Sequence, residues 1–153
     1  MKILIVEDDD YKAKQLTDFL SDNYQLSNEC ITVRRAFQSG MDAIAKNIYD
    51  IILLDMSIPS FDNGLRQSAG RYRYYGGREI LNEMKRKDIS TPCLVVTQFS
   101  VFGQGENQMD DVQLDKILRE EYNKIYKGMI HYSPSMLDWK ASITKIINSI
   151  VRD

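Results

Sequence analysis

ILIVEDDD, Ile3 to Asp10, is a run of four aliphatic residues leading straight into four acids. A run that short and that rich in β-branched residues suits a strand buried on both faces, as in the centre of a parallel sheet. Two further runs have the same character: Ile51 to Leu54 ends at Asp55, and Cys93 to Val96 ends at Thr97. Weaker runs at Cys30 to Val33 and Gly128 to Tyr132 mix apolar and polar positions and suit the edges of the same sheet. Between the runs lie segments of helical period: Ala13, Leu16 and Leu20; Met41, Ile44 and Ile48; Ile80, Leu81 and Met84; Leu114, Ile117, Leu118, Tyr122 and Ile125; and Trp139, Ile143, Ile146, Ile147 and Ile150. Each strand is followed by one helix. The alternation predicts an α/β fold, a doubly wound five-stranded parallel sheet in the order 2-1-3-4-5.

At 153 residues the chain has the size of one domain, and residues 1–153 read as a single unit with no output domain attached. Lys and Arg number 20 against 22 Asp and Glu, a net charge of -2, so the overall charge makes no case for direct nucleic-acid contact or an anionic membrane surface. Cys30 and Cys93 lie far apart with no CxxC, and there is a single histidine, so neither a disulfide framework nor a zinc site is expected. No stretch approaches a membrane span or a signal-peptide core, which makes the cytoplasm the expected compartment. Two tracts, about 58–77 and 98–111, lack a sustained period and carry turn signals such as Asn63-Gly64 and Gly76-Gly77. They read as insertions after the third and fourth strands, and long loops of this kind are often functional.

In an open parallel sheet, ligands bind beyond the carboxyl ends of the strands where the strand order reverses, here between the first and third strands. Glu7, Asp8, Asp9, Asp10 and Asp55 therefore converge on one crevice, with Thr97 at the end of the adjacent fourth strand. Carboxylates that close need either a proton or a cation. Hard oxygen ligands with open positions favour Mg2+, which keeps several waters and accepts a phosphoryl oxygen. Asp9 and Asp10 have the plainer alternative of capping the helix that follows. For Asp55 that alternative is weaker, because Met56-Ser57-Ile58-Pro59 is a poor helix start.

KILIVEDD at the first strand, YDIILLDMSIP at the third, GGREIL at the start of the third helix and TPCLVVTQ at the fourth strand together resemble the receiver domain of bacterial response regulators, a CheY-like, flavodoxin-like topology. The resemblance runs along nearly the whole chain. It implies that Asp55 is a phosphoacceptor, a carboxylate nucleophile that takes a phosphoryl group from a phosphohistidine or a small donor. It also implies that Glu7, Asp8, Asp55 and the backbone carbonyl of Ser57 hold Mg2+, and that Thr97 is the switch hydroxyl that turns toward the phosphoryl group. Family members carry a lysine at the end of the last strand, just before a proline, and here Ser133 precedes Pro134. Gln98 stands where the family has a small residue, and Ile130 stands at the aromatic switch position.

Both insertions flank the crevice. The first contains Arg66, Arg71, Arg73 and Arg78 interleaved with tyrosines, which suits contact with phosphate or with a protein partner. One of these arginines could fold back to replace the missing lysine, or could pair with the unmodified acids. The leading expectation is a stand-alone receiver in phosphorelay signalling, with no enzymatic activity beyond self-phosphorylation and self-dephosphorylation at Asp55. Its partners would be a histidine kinase or phosphotransfer protein and an unknown downstream protein target, with a homodimer left open and neither nucleic acid nor membrane bound directly. Two alternatives compete with it. One is a pseudo-receiver, an interaction module not switched by phosphorylation, which Ser133 favours. The other is a Mg2+-dependent phosphatase of the haloacid-dehalogenase type, whose chemistry wants an acid where Ser57 stands.

Overall fold

A computed structural model describes residues 1–62 and 72–151. Its central sheet contains β1 (Ile3–Val6), β2 (Ile31–Arg34), β3 (Ile51–Leu54), β6 (Cys93–Thr97) and β9 (Tyr126–His131), all parallel, in the order β2-β1-β3-β6-β9. In order along the chain this is the expected 2-1-3-4-5. Register is continuous through the centre: Ile3 pairs with both Ile31 and Ile51, and Ile52 pairs with Cys93.

Alternate residues of a strand point to opposite faces, so the three central runs feed two cores. Leu4, Val6, Ile52, Leu54, Cys93 and Val95 pack against α2 (Phe37–Lys46), α3 (Gly76–Arg86) and α4 (Asp111–Glu121). Ile3, Ile5, Ile51, Leu53, Leu94 and Val96 pack against α1 (Asp10–Tyr24) and α5 (Asp138–Val151), through Leu16, Leu20, Trp139, Ile143 and Ile147. The edges follow the sequence as well: β2 is only part-buried, and β9 alternates between buried and more exposed positions.

The two irregular tracts are pinned at their bases by short antiparallel ribbons. β4 (Ile58–Pro59) pairs with β5 (Tyr72–Arg73), and β7 (Val101–Phe102) pairs with β8 (Met109–Asp110). Asp110 ends the second ribbon and also caps α4, accepting from Gln113 N at 2.8 Å while its own N–H donates to the Gln113 side chain. The Tyr75 hydroxyl joins the two insertions by donating to the Phe102 carbonyl at 3.0 Å.

The helical spacing that includes Tyr122 and Ile125 overruns α4, which stops at Glu121. Tyr122, at φ -128° and ψ 41°, leaves the helix, and the Ile125 carbonyl instead accepts from Cys93 N at 2.7 Å, starting the last strand. Both side chains stay buried in the same core, which is why their spacing looked helical. β9 consequently begins at Tyr126 rather than Gly128. Gly128, at φ +147°, sits beside a register shift against β6, where a β-bulge needs a conformation that suits glycine. Among the described residues no helix is long and apolar enough to cross a membrane.

Candidate functional site

β1 delivers Glu7 and Asp8 to the carboxyl end of the sheet, and β3 delivers Asp55 beside them. Carboxylate oxygens of the three lie within 4.8 Å of one another. Asp9 does the capping work: its side chain accepts from Tyr11 N at 2.9 Å and Lys12 N at 3.2 Å, fixing the start of α1. Asp10 points away and pairs with Arg35. Thr97 ends β6, the neighbour of β3, and is completely buried, with its Oγ1 accepting from Phe99 N at 3.1 Å. That bond leaves the hydroxyl proton free to be donated.

Asp55 is held in a defined orientation, with Oδ1 accepting from Met56 N at 2.7 Å. The loop after it is clamped by α3. Gly77 N donates to the Met56 carbonyl at 2.9 Å, and a Cβ on Gly77 would lie 2.7 Å from the Asp55 carbonyl oxygen. Only glycine allows the helix to approach so closely.

The cation in this cluster comes from Lys12, a residue the sequence reading did not single out. Its side chain is 1% exposed, and its Nζ lies 2.6 Å from Glu7 Oε1, 3.3 Å from Asp55 Oδ2 and 2.6 Å from the Val96 carbonyl oxygen. The Tyr132 ring stands 5.7 Å away. Helical period contained the signal: Lys12 is four residues before Leu16 and eight before Leu20, on the stripe that faces the core. A lysine on a buried stripe needs an acidic partner, and the acids at the strand ends are the ones in reach.

Burial, reinforced by Asp55 and opposed by Lys12, pushes the Glu7 carboxyl up to about 8. Asp8 is also raised, first by burial and then by Asp55. Both shifts arise first from burial and then from the neighbouring Asp55 carboxylate, and Lys12 offsets them only in part.

The first insertion does reach the crevice, through a tyrosine. Tyr72 donates its hydroxyl to the Ser57 carbonyl at 2.8 Å, and its phenol is pushed upward by burial and then by Asp8, Asp55 and Glu7. The Ser57 oxygen keeps a second lone pair. The Ser57 hydroxyl donates to the Tyr74 carbonyl at 3.0 Å. Arg73 instead bonds Glu79 at 2.6 Å and Ser60 at 3.0 Å and lies 4.1 Å from the Phe37 ring centre, while Arg78 bonds Glu121 at 3.1 Å. Neither of these two arginines is at the acids. Arg66 and Arg71 lie outside the described residues. Ser133 follows β9, with its hydroxyl 3.4 Å from that of Ser135, and Gln98 is exposed.

No protein-family model matches the chain. Individual relatives do. The chain is 30% identical over 152 residues to the Detocs response regulatory protein DtcB of Enterobacter cloacae, covering 98% of this chain and 100% of that protein. It is 29% identical over 144 residues to the uncharacterised protein y4jR of Sinorhizobium fredii, covering 94% of each. Among solved structures, the signal receiver domain of an HD domain-containing protein from Pseudomonas fluorescens superposes with a TM-score of 0.66 at 14% identity, covering 99% of this chain and 94% of that one. The receiver domain of the sensor histidine kinase PA1611 from Pseudomonas aeruginosa, which holds a magnesium ion in its active-site cleft, superposes with a TM-score of 0.59 at 16% identity, covering 99% and 98%. The sheet order, the acids at the strand ends and the full-length match to a response regulatory protein agree, and the chain belongs to the response-regulator receiver family.

Proposed function

We propose that this protein is a receiver in phosphorelay signalling that accepts a phosphoryl group on Asp55 from a histidine kinase or phosphotransfer protein. It then acts through phosphorylation-dependent contact with another protein. The observation that carries this reading is the placement of Asp55: the carboxylate ends a central strand, one oxygen is tied to Met56 N, and the other faces a buried ammonium, with Glu7 and Asp8 alongside. That is a positioned carboxylate nucleophile in a site that favours added positive charge.

Mg2+ suits the donor set, because every side-chain donor is an oxygen and the cluster is short of positive charge. Asp8, Asp55, Glu7 and the Ser57 carbonyl would hold it, and when bound it would neutralise charge on the phosphoryl group. Lys12 leaves room for it, since no ion pair joins Lys12 to Asp8 among the described residues. Thr97 supplies a buried hydroxyl one strand away, able to turn toward a modified Asp55 and so couple modification to the surface. The test is intact-protein mass after incubation with acetyl phosphate and Mg2+. Addition of one phosphoryl group, absent in Asp55→Asn, supports the reading.

The uncharged Ser133 favours a second reading, a pseudo-receiver that binds its partner without phosphorylation. In that case the wild-type mass stays unchanged under the same conditions, while partner binding is insensitive to Asp55→Asn.

A further inference from the structure

Ser133 brings no charge to the end of the last strand, yet the site contains a buried ammonium from another element. Burying a lysine is unfavourable unless each of its donors finds a partner. Lys12 donates to the carbonyl of Val96 and forms ion pairs with Glu7 and Asp55. A leucine or methionine would continue the stripe of Leu16 and Leu20 without that burden, so apolar packing does not account for the residue. The Val96 anchor lies on β6, on one side of β3, whereas Asp8 follows β1 on the other side. The ammonium thus bridges the ends of β1, β3 and β6 and makes no ion pair with Asp8 among the described residues, while the Ser57 carbonyl accepts from Tyr72 and keeps a second lone pair.

We propose that Lys12, projecting from the first helix, is the catalytic cation that pairs with the phosphoryl group on Asp55, in the role that the lysine at the end of the last strand fills elsewhere in the family. This rests on the reading of Asp55 as phosphoacceptor. In the transfer from acetyl phosphate, an Asp55 oxygen forms the new bond to phosphorus while the bond from phosphorus to the acetate oxygen breaks, and acetate leaves with the electron pair. No proton is transferred in this step. Lys12 moves from sharing Asp55 to donating to a phosphoryl oxygen, a charge-assisted hydrogen bond that strengthens as charge gathers there.

The experiment follows intact mass over time with acetyl phosphate and Mg2+ in the wild type, Asp55→Asn, Lys12→Met, Lys12→Gln, Ser133→Lys and the double variant Lys12→Met/Ser133→Lys, with circular dichroism to establish folding. Lys12→Met and Lys12→Gln should slow phosphorylation by about tenfold or more, the loss expected of one hydrogen bond to a charged group. The double variant should recover most of that rate, because the ammonium returns from the last strand. Ser133→Lys alone should change little. A merely structural role for Lys12 predicts no such rescue. Wild-type rates in folded Lys12→Met or Lys12→Gln overturn the proposal and leave the Asp55 reading intact, whereas a wild type that takes no phosphoryl group removes both. As a measurement on the unaltered protein, the side-chain nitrogen NMR resonance of Lys12 should shift when Mg2+ and beryllofluoride are added. A resonance that stays put overturns the assignment.

Discussion

Lys12, Arg73 and Arg78 are all cations within chain reach of Asp55, and they end in opposite surroundings. Lys12 lies on the inward stripe of α1 and is sealed against Glu7 and Asp55, whereas Arg73 and Arg78 lie part-exposed and are satisfied by Glu79 and Glu121. Density of positive charge in the sequence pointed to the insertion. What decides the matter is burial, because an ammonium in the interior must find acids and a guanidinium at the surface can accept any neighbour, or water. The crevice therefore draws its cation from the buried face of α1, and the described part of the insertion contributes the Tyr72 contact to the Ser57 carbonyl rather than a cation.

The largest expected effect tests whether the crevice is a cation site at all. Asp8 is the carboxylate that Lys12 leaves unpaired, and it is less buried than Glu7 or Asp55. Asp8→Asn should remove the Mg2+ response, read as the rise in melting temperature on adding millimolar Mg2+, while the fold persists. A retained response would place the cation elsewhere and dissolve the contrast between crevice and insertion.

Next comes the clamp that orients Asp55. Gly77→Ala puts a Cβ 2.7 Å from the Asp55 carbonyl oxygen and 3.1 Å from Met56 Cα, both backbone atoms that cannot swing aside. Overpacking of this kind costs about 1–3 kcal/mol, to be read by urea denaturation. Unchanged stability would mean that α3 does not hold the loop after β3 as tightly as the geometry indicates.

The strand order and the convergence of Glu7, Asp8 and Asp55 were legible in the sequence, and the exceptions have physical causes. The runs at Ile3, Ile51 and Cys93 define the sheet because strands buried on both faces have few alternatives, and the acids that end them mark the crevice by topology alone. Tyr122 and Ile125 misled the helix boundary because burial, rather than helicity, set their spacing. Lys12 is invisible to apolar periodicity, because a charged residue does not register on the stripe it shares with Leu16 and Leu20. The reach of Tyr72 to Ser57 depends on how β4 and β5 pair, and two residues per strand are too few to show a period.

The pH response sharpens the electrostatic side of the comparison. Folded Glu7 holds its proton to about pH 8, whereas the ordinary value is 4.5. Across that window the folded chain binds more protons than the unfolded one, so the metal-free protein loses stability as pH rises from 4.5 toward about 8. A bound cation competes with that proton. Stabilisation by Mg2+ should accordingly be greater near pH 8 than near about pH 6. Melting temperatures with and without Mg2+ at the two pH values check this, and a response independent of pH would show that Glu7 is ionised throughout.

The smallest effects belong to Arg73 and Arg78. Arg78 makes a part-exposed contact with Glu121 at 3.1 Å, the kind of pair whose loss is worth about 0–1 kcal/mol. Arg73 does more: besides Glu79 it bonds Ser60 and lies 4.1 Å from the Phe37 ring centre, so its truncation removes a stacked and hydrogen-bonded contact between α2 and the first ribbon. Arg73→Ala should therefore destabilise more than Arg78→Ala, by about 1 kcal/mol against a few tenths in urea denaturation. Neither should alter the Mg2+ response, because both guanidiniums are committed to partners outside the acidic cluster. If Arg73→Ala strengthened Mg2+ binding, that guanidinium would be acting on the crevice at a distance, and the separation between fixed buried charge and surface charge would fail where the two regions meet, at Ser57 and Tyr72.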